Sequence, residues 1–113
     1  MIIPKDLEDL ARYIEDPVKT VFFFSADWCG DCRYIEPYLP ALEEEHADFR
    51  FVKVDRDIYL DVAKAWNVFG IPSMVVLQDG KELGRYVDRH RKTKAELDAF
   101  LNQVNIQNEE ERK

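Results

Sequence analysis

The chain has 113 residues, 46% of them hydrophobic and 12% aromatic, with a formal charge of −7. That length carries one domain with one core, and that composition excludes a disordered or low-complexity chain. The net acidity excludes nucleic acid and anionic membrane as main partners, and no apolar run approaches the ~20 residues of a membrane-spanning helix.

The opening residues, Met1 to Asp6, have no basic stretch leading into an apolar one. No secretory signal is expected, and the protein is expected to be cytoplasmic. Leu7, Leu10, Ala11 and Ile14 recur at helical spacing, so Asp6–Glu15 reads as an amphipathic helix that Asp16-Pro17 stops. Thr20–Phe24 is a run of strand formers and reads as a strand buried on both faces. Tyr34, Ile35, Tyr38, Leu39 and Leu42 form one stripe, which predicts a helix from about Gly30 to Glu45. Pro37 and Pro40 each remove a donor, so that helix should kink near Pro37. Phe49–Asp55 reads as a second strand, and Tyr59, Val62, Ala63 and Trp66 mark a short helix. Ser73–Leu77 is a third strand. Asp79-Gly80 is a tight-turn signal that sends the chain back as a hairpin to Val87. Thr93-Lys94-Ala95-Glu96 matches a capping box ahead of Leu97, Phe100, Leu101 and Val104, the stripe of a last helix. Asn105–Lys113 is polar and is expected to fray. A βαβ unit followed by a hairpin and a helix gives a three-layer α/β/α sandwich around a central mixed sheet.

Cys29 and Cys32 are the only cysteines. Two are too few for a disulfide scaffold, and alone they cannot make a four-ligand zinc site. They sit in Ala26-Asp27-Trp28-Cys29-Gly30-Asp31-Cys32-Arg33, after a buried strand and at the opening of a helix. Free backbone N–H groups and the helix dipole favour a thiolate at position 29 by about 1 kcal/mol. Cys32, one turn on, lies within reach of it. Cys29 can therefore attack a substrate disulfide, and Cys32 can resolve the mixed disulfide. The redox-active unit is the Cys29–Cys32 pair itself. The chain carries no Gly-rich dinucleotide fingerprint, so no bound cofactor is expected.

This stretch resembles the thioredoxin family. The likeness extends to Pro37 in the active-site helix, to Gly70-Ile71-Pro72-Ser73 before the third strand and to Asp79-Gly80 at the hairpin tip. It implies a thioredoxin fold spanning 1–113 as one domain, and a cis Ile71–Pro72 bond. It also implies a substrate groove formed by Trp28, Ile71, Pro72 and the position of Asp88. Such a chain would reduce disulfide-containing proteins. It would be recharged by an NADPH-dependent flavoprotein thioredoxin reductase, and we expect it to act as a monomer.

Several residues depart from the family pattern. Asp31 stands where proline is usual. A carboxylate ~8 Å from Cys29, at an effective dielectric of ~40, opposes the thiolate by about 1 kcal/mol and roughly cancels the dipole. The family's buried Asp aligns with Phe23 and its Lys neighbour with Phe51. The proton acceptor for Cys32 must then differ, with Asp31 or water as candidates. Ser25 replaces an aromatic residue. Asp88 replaces a groove glycine and should narrow and acidify the groove. Trp28, Gly30 and Asp31 are the residues expected to tune the site. Two other readings stay open. One is a dithiol oxidase or isomerase. The other is a binding module on the same fold, using Asp88 and the basic cluster Arg85, Arg89, His90, Arg91, Lys92 and Lys94.

Overall fold

The structure is a computed structural model and describes residues 1–111. Its elements are α1 (Leu7–Glu15), β1 (Thr20–Ser25), α2 (Gly30–Ile35), α3 (Leu39–Glu45) and β2 (Arg50–Asp55). They continue with α4 (Leu60–Ala65), β3 (Ser73–Gln78), β4 (Lys81–Tyr86) and α5 (Lys94–Glu111). The four strands form one sheet in the order β2-β1-β3-β4, with β1 parallel to β2 and the other pairs antiparallel.

Every residue of β1 is buried. Alternation along the strand sends Phe23 to one face of the sheet and Phe22 and Phe24 to the other. Val21, Phe23, Phe51, Met74 and Val76 pack against Ile35, Leu39 and Leu42 of α2–α3 and against Leu97, Leu101 and Val104 of α5. Phe22, Phe24, Val52, Val54, Val75 and Leu77 pack against Leu10 of α1 and Ala63 of α4. Each buried phenylalanine contributes about 1.5–3 kcal/mol relative to an exposed one. Trp66 closes the second layer, edge-on to Phe22 and Phe24 at 5.5 and 5.7 Å. This is the core role its helical spacing suggests.

The ends of the elements follow local chemistry. Asp6 caps α1 by accepting from the Asp9 N–H at 2.8 Å. Thr93 accepts from the Glu96 N–H at 3.2 Å while Glu96 accepts from the Thr93 N–H at 3.0 Å, so the capping box forms as read. Asp79 and Gly80 take φ of 54° and 73°, the left-handed conformation of a tight hairpin turn.

Two expectations are corrected. The helix predicted over 30–45 is not continuous but breaks into α2, a 3₁₀ turn over Glu36–Tyr38, and α3. Pro37 cannot donate to the Arg33 carbonyl, nor Pro40 to Glu36, and the Leu39 N–H turns to Glu36 instead. The segment from Asn105 also does not fray within the described residues, since α5 runs on to Glu111. Val104 is buried in the core, and Asn105 bonds both Asp48 (2.8 Å) and Lys19 (2.6 Å), which ties this turn to the body of the protein. Residues 112–113 lie outside the described residues.

Candidate active site

The site lies where β1 ends and α2 begins. Cys29 is the N-cap of α2, with extended backbone (φ −82°, ψ 111°). In that position its side chain, in place of a capping oxygen, meets the free N–H groups of the first turn. The Cys32 N–H donates to Cys29 Sγ at 3.2 Å, and Sγ stands 3.8 Å from the Ile71 carbonyl oxygen. Both cysteines are free thiols. Cys29 retains 6% exposure and Cys32 only 1%, so one sulfur opens outward and the other is enclosed. They pack with Ala26 and Ile71 in a small apolar cluster.

That difference in burial sets their chemistry apart. Burial, and then the hydrogen bond with Cys29, pushes the Cys32 thiol up to about 12. Glu36, one turn along, adds a like-charge push in the same direction.

Cys29 opens into a cavity of about 420 Å³ lined also by Trp28, Asp31, Phe69, Ile71 and Arg89. Trp28 is mostly exposed. Its indole N–H donates to Asp57 at 2.7 Å and the Arg56 guanidinium lies 5.2 Å from its ring centre. The Ile71–Pro72 bond is cis. Ile71 lines the cavity, whereas Pro72 is buried behind it.

The structure places Asp31 and Asp88 differently from the sequence reading. The Asp31 carboxylate lines the cavity, but Arg91 holds it through Nε at 2.9 Å. It does not stand there as an unpaired charge. Asp88 does not line the cavity at all. Its carboxylate turns to the Lys92 ammonium and to the His90 N–H. Burial alone would raise the Asp88 carboxyl, but these two partners outweigh it and hold the group below the ordinary range. Lys92 is 1% exposed and also donates to the carbonyls of Asp88 and His90, so it fastens the loop from inside. The residue that reaches the cavity from this loop is Arg89. The expected narrowing by an acid at position 88 is therefore replaced by an arginine one residue on. Arg56 was also missed, because nothing in its local sequence marks it out from a solvated β-strand end. Phe23 and Phe51 are both buried on the face that carries α2.

A buried, unequal cysteine pair at the mouth of a four-stranded α/β/α sandwich defines a dithiol domain. Residues 4–103 match the sequence profile of thioredoxin. The chain is 40% identical over 78 residues to mitochondrial thioredoxin-2 of Schizosaccharomyces pombe, covering 69% of this chain and 59% of that one. It is 33% identical over 98 residues to the thioredoxin of Mycoplasma genitalium, covering 87% and 95%. The crystal structure of Fasciola hepatica thioredoxin superposes with a TM-score of 0.77 at 30% identity, covering 92% and 99%. The chain belongs to the thioredoxin family. It spans under two thirds of the length of several curated relatives it matches, that of Schizosaccharomyces pombe among them.

Proposed function

We propose that this protein is a thiol-disulfide oxidoreductase that reduces protein disulfides through Cys29 and Cys32. The observation that carries this reading is the geometry of Cys29. It is a sulfur at a helix N-cap, 3.2 Å from the Cys32 N–H, facing a cavity, with a second thiol enclosed beside it. Family membership supports the same chemistry.

The Cys29 thiolate attacks one sulfur of a substrate disulfide. A Cys29–substrate disulfide forms, the substrate S–S bond breaks, and the leaving thiolate takes a proton from solvent. Cys32 then loses its proton and attacks Cys29 Sγ. The Cys29–Cys32 disulfide forms, the second substrate thiolate leaves, and two electrons have passed to the substrate. The high Cys32 value keeps that sulfur protonated in the free dithiol, which leaves Cys29 as the sulfur that attacks. With Asp31 held by Arg91, water is the better candidate to take the Cys32 proton. The cycle draws on the cysteine pair alone and needs no bound cofactor. An NADPH-dependent flavoprotein reductase would return the electrons, with the protein working as a monomer in the cytoplasm.

The test is a pair of variants assayed on a disulfide-bonded protein. Cys32→Ser should trap a covalent Cys29–substrate adduct, and Cys29→Ser should abolish reduction. Undiminished turnover by Cys29→Ser would overturn the assignment of Cys29 as the nucleophile. Partner binding that survives Cys29→Ser in a protein that reduces no disulfide would overturn the reading in favour of a binding module.

A further inference from the structure

We infer that the cavity beside Cys29 selects disulfides set in acidic protein segments, with Arg56 and Arg89 as the residues that choose them. The inference rests on the proposed dithiol reading and names its substrate class.

In a chain of net charge −7, the cavity is lined by two arginines and by a single carboxylate, Asp31, which Arg91 already pairs. The two arginines are poorly neutralised. Among the described residues Arg89 has no carboxylate partner, and its guanidinium lies 5.7 Å from the ring centre of Phe69. Arg56 pairs with Asp57 through a long Nε–Oδ1 contact of 3.4 Å that makes no hydrogen bond. A carboxylate entering the cavity offers the exposed Arg89 guanidinium the charged partner it lacks.

Both arginines are also held in place. Each lies over an exposed aromatic ring, Arg56 over Trp28 and Arg89 over Phe69. Stacking of this kind limits the rotamer freedom a guanidinium would lose on binding. The two aromatic–arginine pairs stand beside the attacking sulfur and the Ile71 carbonyl. An extended segment would lay its backbone near Ile71, its apolar side chains on Trp28 and Phe69, and its carboxylates on the arginines. That combination of apolar shelf and charge suits a polypeptide better than a small thiol, and the charge sign suits an acidic one.

The test compares disulfide-bonded peptides that differ only in having acidic or basic residues around the cysteines. Rates are normalised to a neutral small disulfide, hydroxyethyl disulfide, for each variant. The normalised kcat/KM should favour the acidic peptide by about tenfold at low salt, and the preference should collapse at high salt. Arg89→Glu and Arg56→Glu should each cut it by about threefold or more. Lys81→Glu, the same change in net charge at the distant hairpin tip, should not. Equal rates for the two peptides, or a preference that both cavity variants retain, would overturn the inference and leave the dithiol reading standing. Glutathione disulfide matching the acidic peptide would overturn the choice of a protein segment. Failure to reduce either peptide as well as hydroxyethyl disulfide would overturn the dithiol reading and this inference with it.

Discussion

Arg91 reaches across sixty positions of sequence to hold Asp31, with Nε 2.9 Å from Oδ1 and its guanidinium 4.3 Å from the ring centre of Tyr34. Asp31 lines the same cavity as Cys29, so its charge acts on any thiolate there unless something offsets it. Both partners are partly solvated, which keeps the effect modest. Arg91→Ala should slow alkylation of Cys29 at neutral pH by about two- to threefold. In the Asp31→Asn background the same change should do little. An equal slowing in both backgrounds would show that Arg91 acts by some route other than Asp31.

The second cysteine predicts a pH dependence. The Cys32 thiol is pushed up to about 12 by burial and the Cys29 contact, against an ordinary value of 9.0. Between those values the folded reduced protein holds a proton that the unfolded chain has lost. Stability from this group is therefore complete below pH 9 and declines as pH rises, by about 1 kcal/mol at pH 10. Urea unfolding of the reduced protein from pH 8 to 10 should show this decline. Cys32→Ser should flatten it, and an unchanged slope in the variant would contradict the assignment.

Phe23 and Phe51 make the floor of the site apolar. Phe23→Asp would place a carboxylate in a fully buried position. Its partner in the sheet register is Lys53, whose ammonium is already engaged by Glu36, and Phe51 offers no cation. It should cost about 3–5 kcal/mol in unfolding free energy. A loss below about 1 kcal/mol would mean that water reaches this layer.

Two glycines differ in what surrounds them. A Cβ on Gly70 would stand 2.1 Å from the Asp88 carbonyl oxygen, which Lys92 fastens in place, whereas one on Gly84 would meet a Val104 methyl at 2.8 Å. Backbone yields less readily than a side chain. Gly70→Ala should therefore destabilise by about 2–3 kcal/mol and Gly84→Ala by about 1 kcal/mol, read from denaturation midpoints. The reverse order would contradict the close packing of the loop against Gly70.

Much of this molecule is legible in its sequence because local and tertiary preferences agree. The Val21–Phe24 run, the capping box at Thr93 and the Asp79-Gly80 turn each specify one local structure, and each forms. The cysteine pair is legible because its position between strand and helix restricts its chemistry. What the sequence hides are the long-range side-chain partners. Nothing near Asp31 announces Arg91, and nothing near Asp88 says that Lys92 will turn its carboxylate from the cavity. The basic cluster shows in the sequence only as a run of cations near Asp88, yet Lys92 is enclosed and Arg89 reaches the site. The extent of the last helix is missed for a related reason, since Asn105 is anchored by Asp48 and Lys19, both remote in sequence.

The central claim is that Cys29 and Cys32 cycle between dithiol and disulfide as a reductant. Equilibration of the protein with a thiol–disulfide redox buffer, followed by quantification of free thiols, tests it most directly. The transition should be reversible, carry two electrons and lie within a few tens of millivolts of the roughly −270 mV of thioredoxin itself. A potential between about −180 and −120 mV, or no disulfide between the two cysteines, would contradict it.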